Sequence, residues 1–286
     1  MDETITSNAR TPSRGRSVGL VPFLFGVTGR DVLPGSVLRQ LLGDVGLSPD
    51  AARAVLSRMR RHGQLASDRR GRGVEYRLIG EFARSFQRVR DQATGRPTEW
   101  HGHLHALLYQ VPERHRSYRD TLRRSAVLCG YGILQPGVLI APTDRSSRLA
   151  AVLSRQPEDA QVWLSTLGMT PDHAARAASI AWDLPELARR YHQHISRLAG
   201  RLAAPPSGLA DCWTGGSAAP EAGIAMLRDY VDLLAPALID TLRNPGLPAI
   251  LLPADWPVPA LQQTADEFTA TFRPTIQSYL DFLLGG

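Results

Sequence analysis

The sequence predicts a multidomain protein of the α+β class, and three observations lead to this prediction. The chain of 286 residues exceeds the roughly 100 to 200 residues of one typical domain. Its pattern changes twice, from short helices with a hairpin, to alternating strands and helices, to long helices. Residues 1–98 hold 17 Arg against 9 Asp and Glu (net +8), and residues 99–286 hold 16 against 18 (net −2), which together give the +6 of the chain. We expect a basic disordered tail at 1–16 and domains at 17–96, 97–172 and 173–286.

The composition also indicates where the protein works. The first sixteen residues lack the apolar segment of a secretory signal peptide. No apolar run approaches the roughly 20 residues that span a bilayer. The two cysteines show neither metal-binding nor disulfide spacing. We therefore expect a cytoplasmic protein, and the basic first third suggests a nucleic-acid partner.

The N-terminal third begins with three short helical patterns. The first lies at Val18–Phe25 and the second between Gly35 and Gly46, where apolar residues recur every three or four positions. Ser48 can cap the third helix, and the proline after it suits a first helical position. This helix should run from Pro49 to about His62 and end at Gly63. Its predicted apolar face holds Ala52, Val55, Leu56 and Met59.

Two strands follow the third helix, at 64–67 and 74–78, and an arginine-rich turn at 68–73 separates them. This order of elements predicts a winged helix-turn-helix, in which the third helix enters the major groove of DNA. An arginine-rich face in a lysine-free chain is often only a solvated surface, but the joint pattern favours DNA binding. We expect Arg53 and Ser57 to contact base edges, Arg60 and Arg61 to reach phosphates, and the hairpin arginines to contact flanking phosphates or the minor groove. The predicted DNA-binding residues are Arg53, Ser57, Arg58, Arg60, Arg61, Arg69, Arg70 and Arg72.

The middle region alternates strands and helices, with strands at 101–111, 132–141 and 160–165 and helices at 117–128 and 145–154. Elements of these lengths predict a small α/β domain of the ferredoxin-like type, which commonly dimerises. The last third predicts a helical domain with long helices at 184–202, 220–243 and 258–284. Aromatic residues there are mostly expected in the core, but four are candidates for lining an effector pocket. They are Trp182, Tyr191, Tyr230 and Trp256.

Three histidines offer a competing chemistry. His101, His103 and His105 would share one face of a strand and could bind Zn²⁺, although a solvated edge would look the same. A ferredoxin-like domain can also hold paired acids of a metal-dependent nuclease, but the first predicted strand ends without an aspartate. No GxSxG, P-loop or GxGxxG motif occurs. The sequence therefore predicts a protein that is not an enzyme and needs no cofactor, and a DNA-coating scaffold without sequence preference remains an alternative.

Four short segments follow one another along the chain: Ala52–Met59 with the arginines of the hairpin, Gly130–Val138, Trp182–Leu184 and Leu251–Pro257. Together they resemble the PaaX family of regulators of phenylacetic acid degradation and related catabolism, and the resemblance covers most of residues 18–270. It implies a transcriptional regulator, by family habit a repressor, that a small-molecule effector such as an acyl-CoA thioester releases from DNA. We also expect a homodimer, because two recognition helices related by a two-fold axis match an inverted-repeat operator in double-stranded DNA.

Overall fold

The structure, a computed structural model, describes residues 16–71, 73–80, 99–205, 219–242 and 244–285. It is a mixed α and β architecture with two antiparallel sheets and many helices. The described residues divide into two compact units, one within 1–94, 197–236 and 264–286, the other within 95–196 and 237–263. The three consecutive domains expected from the sequence stay a prediction. No helix in the described ranges is long and apolar enough to cross a membrane.

The first unit begins with three helices and a three-stranded sheet, in which β3 lies between β1 and β2. The predicted third helix, α3, is confirmed, and the Ser48 hydroxyl accepts a hydrogen bond from the Ala51 amide at 3.3 Å. All four residues of its predicted apolar face are buried. The elements are α1 (Arg16–Thr28), β1 (Val32–Pro34), α2 (Gly35–Asp44), α3 (Pro49–Arg61), β2 (Leu65–Arg70) and β3 (Gly73–Leu78).

Two details of this sheet differ from the prediction. Strand β1 was not predicted, because three residues are too few to show a period of two, and its pairing with β3 is a tertiary contact. The arginine-rich segment at 68–73 is not a single turn. Strand β2 continues to Arg70, which pairs with Gly73, and Gly71 follows Arg70 in a turn. Residue 72 lies outside the described residues.

The first unit also contains segments from the C-terminal part of the chain. Helix α7 (Leu184–Ala203) contributes residues from 197 onward, and α8 (Ala219–Asp229) follows. The predicted helix at 220–243 is interrupted by a π-helical turn at Tyr230–Leu234 before α9 (Ala235–Leu242). Pro236 lies just after this turn and has no amide proton to donate to the preceding helical turn. The last helix, α10 (Val258–Gly285), packs its Phe268 ring against Tyr230 at a centroid distance of 5.5 Å.

The second unit contains a four-stranded antiparallel sheet in the order β5-β6-β4-β7. Apolar side chains cover both of its faces. One cluster joins Leu107 and Leu139 to Leu122 of α4, and the other joins Leu104 and Ile140 to the alanines of α6. The elements are β4 (His103–Gln110), α4 (Arg116–Leu128), β5 (Gly132–Gln135), β6 (Val138–Ala141), α5 (Ala150–Leu153), β7 (Gln161–Gly168) and α6 (Pro171–Trp182). Short 3-10 helices lie at Glu113–His115, Ser146–Leu149 and Ala249–Leu251.

The predicted single strand at 132–141 is wrong, because the chain turns back at Pro136-Gly137 and forms the hairpin β5-β6. Gly137 has a φ of +82°, and a Cβ atom there would lie 2.8 Å from the Tyr109 carbonyl oxygen. Only glycine fits this combination of left-handed backbone and close approach. The dipeptide Pro136-Gly137 is a turn signal, and the single-strand prediction overlooked it.

Candidate nucleic-acid interface

The exposed face of α3 carries most of the residues that the sequence predicts for DNA binding. Arg53, Ser57, Arg60 and Arg61 are all exposed, and spacings of three and four residues place them along one side of the helix. Arg58 differs from them. It is half-buried, and its Nε atom is enclosed without a hydrogen-bond partner in the described part of the chain. The open face of α3 therefore carries one serine and three arginines, together with Asp50 and Ala54.

A short connection fixes the direction of α3. The chain passes from α2 to α3 in the four residues 45–48, where Gly46 adopts a φ of +92°. The amide of Leu47 donates to the Leu42 carbonyl oxygen at 3.0 Å, which satisfies one of the last carbonyls of α2. The Leu47 side chain is buried. A change in the orientation of α2 must therefore reach α3 through a tight, hydrogen-bonded turn.

Arg53 is not an isolated cation. It forms an ion pair with Asp50, one helical turn before it, and the two side chains are 66% and 90% exposed. The sequence analysis missed this pair, although the i,i+3 spacing would have indicated it. So exposed a pair contributes only a few tenths of a kcal/mol to folding. Arg53 can therefore exchange Asp50 for a DNA group at small cost.

The hairpin carries charges on one face that neutralise one another. The cross-strand register puts Asp68, Arg70, Glu75 and Arg77 on the same face. Arg70 Nη1 lies 3.4 Å from Glu75 Oε1, and Arg77 Nη2 lies 3.6 Å from Asp68 Oδ2. Repulsion between the described arginines of the hairpin is thus reduced by acids within the hairpin.

Arg69 leaves the hairpin on the opposite face. It pairs in register with Val74, is exposed, and makes no ion pair with any residue that the structure describes. Arg72, the third predicted tip arginine, lies outside the described residues. Among the described hairpin arginines, Arg69 is consequently the one whose charge is most available to a polyanion.

The three candidate metal-binding histidines do not act as one group. The strand begins at His103, so the alternation argument applies to His103 and His105 and not to His101. Their rings meet edge to face at 5.3 Å, and His103 Nδ1 lies 3.1 Å from the His101 carbonyl oxygen. Within the described ranges, no three His, Cys, Asp or Glu side chains are placed to hold a metal ion.

Of the four aromatic candidates for an effector pocket, three lie in the second unit. The buried Tyr191 packs edge to face against Trp256 at 5.6 Å and donates a hydrogen bond to the Asp240 carbonyl oxygen at 3.2 Å. Burial raises the pKa of Tyr191, so this hydroxyl stays protonated. The ring of Trp182 covers Gly132, where a Cβ atom would lie 2.6 Å from the ring. Tyr230 belongs to the first unit and donates to the Thr269 carbonyl oxygen at 3.1 Å.

Trp256 also borders a small cleft in the second unit. The cleft has a volume of about 250 Å³, and most of its lining is apolar. Polar groups at its edge come from Ser179, His192 and Asp255. Its volume is below the roughly 300 to 1,000 Å³ of typical ligand pockets, so it would accept a small group or part of a larger ligand. The remaining lining residues are Leu184, Pro185, Ala188, Pro253 and Pro257.

Two family models match segments of the chain. Residues 26–81 match a family model described as PaaX-like protein, and residues 97–177 match one described as the central Cas2-like domain of PaaX protein. Among solved structures, the chain is similar to an uncharacterized protein, Rv0674, from Mycobacterium tuberculosis. The two are 26% identical, the alignment covers 92% of this chain and 97% of that one, and the TM-score is 0.55. No curated protein matches the chain.

Proposed function

The chain belongs to the PaaX family, and we propose that it is a transcriptional regulator that binds a specific sequence in double-stranded DNA. The observation that carries the proposal is the open face of α3, where three arginines and a serine line one side of a capped helix. This helix and the adjacent hairpin lie within the segment that matches the PaaX-like model. In this proposal the protein acts as a regulator and not as an enzyme.

The N-terminal module would bind DNA as a winged helix-turn-helix. The supporting features are the four-residue turn between α2 and α3 and the hairpin β2-β3 directly after α3. In the proposed complex, α3 enters the major groove, with Arg53 and Ser57 toward base edges and Arg60 and Arg61 toward phosphates. Arg69 would contact the backbone beside the groove, since its charge has no partner within the hairpin.

We infer that two copies associate to bind an inverted-repeat operator. The strand order β5-β6-β4-β7 of the second unit supports the predicted ferredoxin-like domain, a type that commonly dimerises, and its edge strand β7 pairs with β4. Edge strands are usually protected by charges or proline, but β7 contains neither. Trp163 and Leu164 are about half exposed, at 50% and 48%. Antiparallel pairing of β7 with its symmetry mate would extend the sheet without opposing like charges.

The proposed regulator is a repressor of a catabolic or secondary-metabolic operon, released by a small effector such as an acyl-CoA thioester. The cleft beside Trp256 supports a site for the acyl or aryl part, because its lining is mostly apolar and an aromatic ring borders it. Release requires that the effector bind the DNA-free arrangement more tightly than the DNA-bound one. In this proposal the protein acts in the cytoplasm, on the nucleoid.

A titration of the purified protein tests the DNA-binding proposal. Binding to the duplex upstream of its own gene is compared with binding to a shuffled duplex of equal composition at physiological salt. In parallel, a preferred duplex is selected from a random library; we call it the selected duplex. We expect the preferred duplex to bind about a thousandfold more tightly than the shuffled one. Equal and steeply salt-dependent binding to both would indicate a scaffold without sequence preference. Absence of binding to either would refute the proposal.

A further inference from the structure

A buried carboxylate lies at the end of α2, close to the turn that leads into α3. Asp44 is the last residue of α2, and only 6% of its surface is exposed. Gln40 Nε2 donates to its Oδ1 at 2.8 Å, and the Tyr279 hydroxyl donates to its Oδ2. A carboxylate in such a position is costly unless its oxygens are hydrogen-bonded. These donors provide that compensation, one from α2 itself and one from α10.

The same point is held a second time by α8. Arg228 Nε donates to the main-chain carbonyl oxygen of Asp44, which is one of the last carbonyls of α2. Helix α2 also packs against α8. Residues that lie far along the chain therefore bind both the side chain and the main chain of Asp44: Tyr279 binds the carboxylate, and Arg228 binds the carbonyl oxygen.

The helices that hold Asp44 are also packed closely on each other. Tyr279 is 2% exposed, and a Cβ atom on Gly223 of α8 would lie 2.3 Å from the Tyr279 Cβ. Burial and the neighbouring Asp44 raise the pKa of Tyr279, so its hydroxyl remains a donor. We call this set of Gln40, Asp44, Arg228 and Tyr279, with Gly223 behind the tyrosine, the Asp44 junction.

We propose that the Asp44 junction positions the DNA-binding helix, and that Asp44 and Tyr279 are positioning residues for operator recognition. This inference rests on the function proposed above. Helix α2 is joined to α3 by four residues, and its last residue is held by both α8 and α10. The C-terminal helices therefore set the direction in which α3 presents Arg53 and Ser57, and loosening the junction costs sequence discrimination more than general affinity.

The chain offers a matched control for Tyr279→Phe. Tyr230 is also buried, at 4% exposure, and its hydroxyl donates to the Thr269 carbonyl oxygen of α10. That bond joins two C-terminal segments of the first unit and involves no residue of 16–80. Tyr230→Phe removes the same atom from a similarly buried ring, so it reports the purely structural effect of losing one hydroxyl group.

The experiment uses the full chain carrying Tyr279→Phe, Tyr230→Phe, Asp44→Ala or Asp44→Asn. Unfolding is followed in urea, and dissociation constants are measured for the selected duplex and its shuffled form. We expect both tyrosine variants to lose stability, but only Tyr279→Phe to lose preference for the selected duplex. We expect the ratio of the two dissociation constants to fall by about tenfold or more. This is the factor that corresponds to the loss of one hydrogen bond to a charged group. Asp44→Asn keeps an acceptor for Tyr279 and should retain more of the preference than Asp44→Ala.

Hydrogen exchange gives a second readout that does not depend on DNA. Tyr279→Phe should speed amide exchange in residues 35–61 and leave residues 103–168 unchanged, whereas Tyr230→Phe should spare both ranges. Equal duplex preference and equal exchange in the two tyrosine variants would overturn the positioning role. If the unaltered protein shows no duplex preference, the proposed function fails, and exchange alone then decides whether the junction holds α2 and α3.

Discussion

Substitution of Arg53 by alanine tests the docking of α3 most directly. Arg53 lies on the open face of the helix with its side chain 66% exposed, so its removal leaves no cavity. The loss in folding stability is limited to the exposed ion pair with Asp50, about 0.3 to 0.5 kcal/mol. Any larger change must therefore appear in the complex with DNA and not in the free protein.

The expected change in binding follows from the contact that Arg53 is proposed to make. A bidentate arginine contact with a base contributes about 1 to 3 kcal/mol to discrimination. Since Arg53 must leave Asp50 to make this contact, the net loss should be about 0.5 to 2.5 kcal/mol, or roughly 2- to 70-fold in relative affinity. The selected duplex should lose this factor, and the shuffled duplex should lose little.

Dissociation constants for both duplexes at two salt concentrations measure the effect, and Asp50→Asn is the matched control. Asp50→Asn removes a carboxylate that competes with DNA for Arg53. It should raise the affinity for both duplexes by about twofold, which corresponds to the free energy of a weak surface ion pair. An equal loss on both duplexes for Arg53→Ala would assign Arg53 to phosphate binding. No loss on either duplex would show that this face of α3 does not meet DNA.

Three further changes test other parts of the proposal. Ser48→Ala should lower the free energy of unfolding by about 1 kcal/mol in urea titrations, because the Ala51 amide loses its capping hydrogen bond. Ser57 is exposed on the same helix, so Ser57→Ala should lower the free energy of unfolding by less than about 0.5 kcal/mol. Arg69→Ala should reduce the slope of log affinity against log salt concentration by about 0.9. Arg77→Ala should reduce this slope less, because Arg77 already pairs with Asp68. The reverse order would contradict the assignment of Arg69 to the DNA backbone. Leu164→Arg places two cations near each other across the proposed β7 pairing. We expect this variant to sediment as a monomer and to keep the circular dichroism spectrum of the unaltered protein. A persistent dimer would place the interface elsewhere.

The sequence by itself determined the elements that depend on local chemistry. Helix α3 could be predicted because Ser48 caps it, a proline follows, and its apolar residues recur with helical period. The hairpin after it could be predicted from two short runs around a glycine turn, and the exposure of Arg53, Ser57, Arg60 and Arg61 follows from the same periodicity. Four short motifs in order along the chain were sufficient to indicate the family.

Other features depended on contacts between distant segments, which no local pattern encodes. Strand β1 exists because β3 pairs with it, and the ion pairs of the hairpin follow from a register that is set across the two strands. The turn at Gly137 is different, because Pro136-Gly137 between two apolar runs is a local turn signal that the prediction overlooked. The candidate histidines shared a spacing, but His101 lies outside the strand that would have aligned it with the others.

The Asp44 junction shows the limit of sequence reasoning for this protein. Asp44 and Tyr279 are 235 positions apart, and nothing near either residue indicates the other. In the sequence, Asp44 looks like an ordinary polar residue at a helix end. Tertiary packing decided that it is buried, because α8 and α10 close over the end of α2 and supply the hydrogen bonds that a buried carboxylate requires. Local chemistry therefore determined the DNA-binding elements, and long-range packing decided what holds them in place.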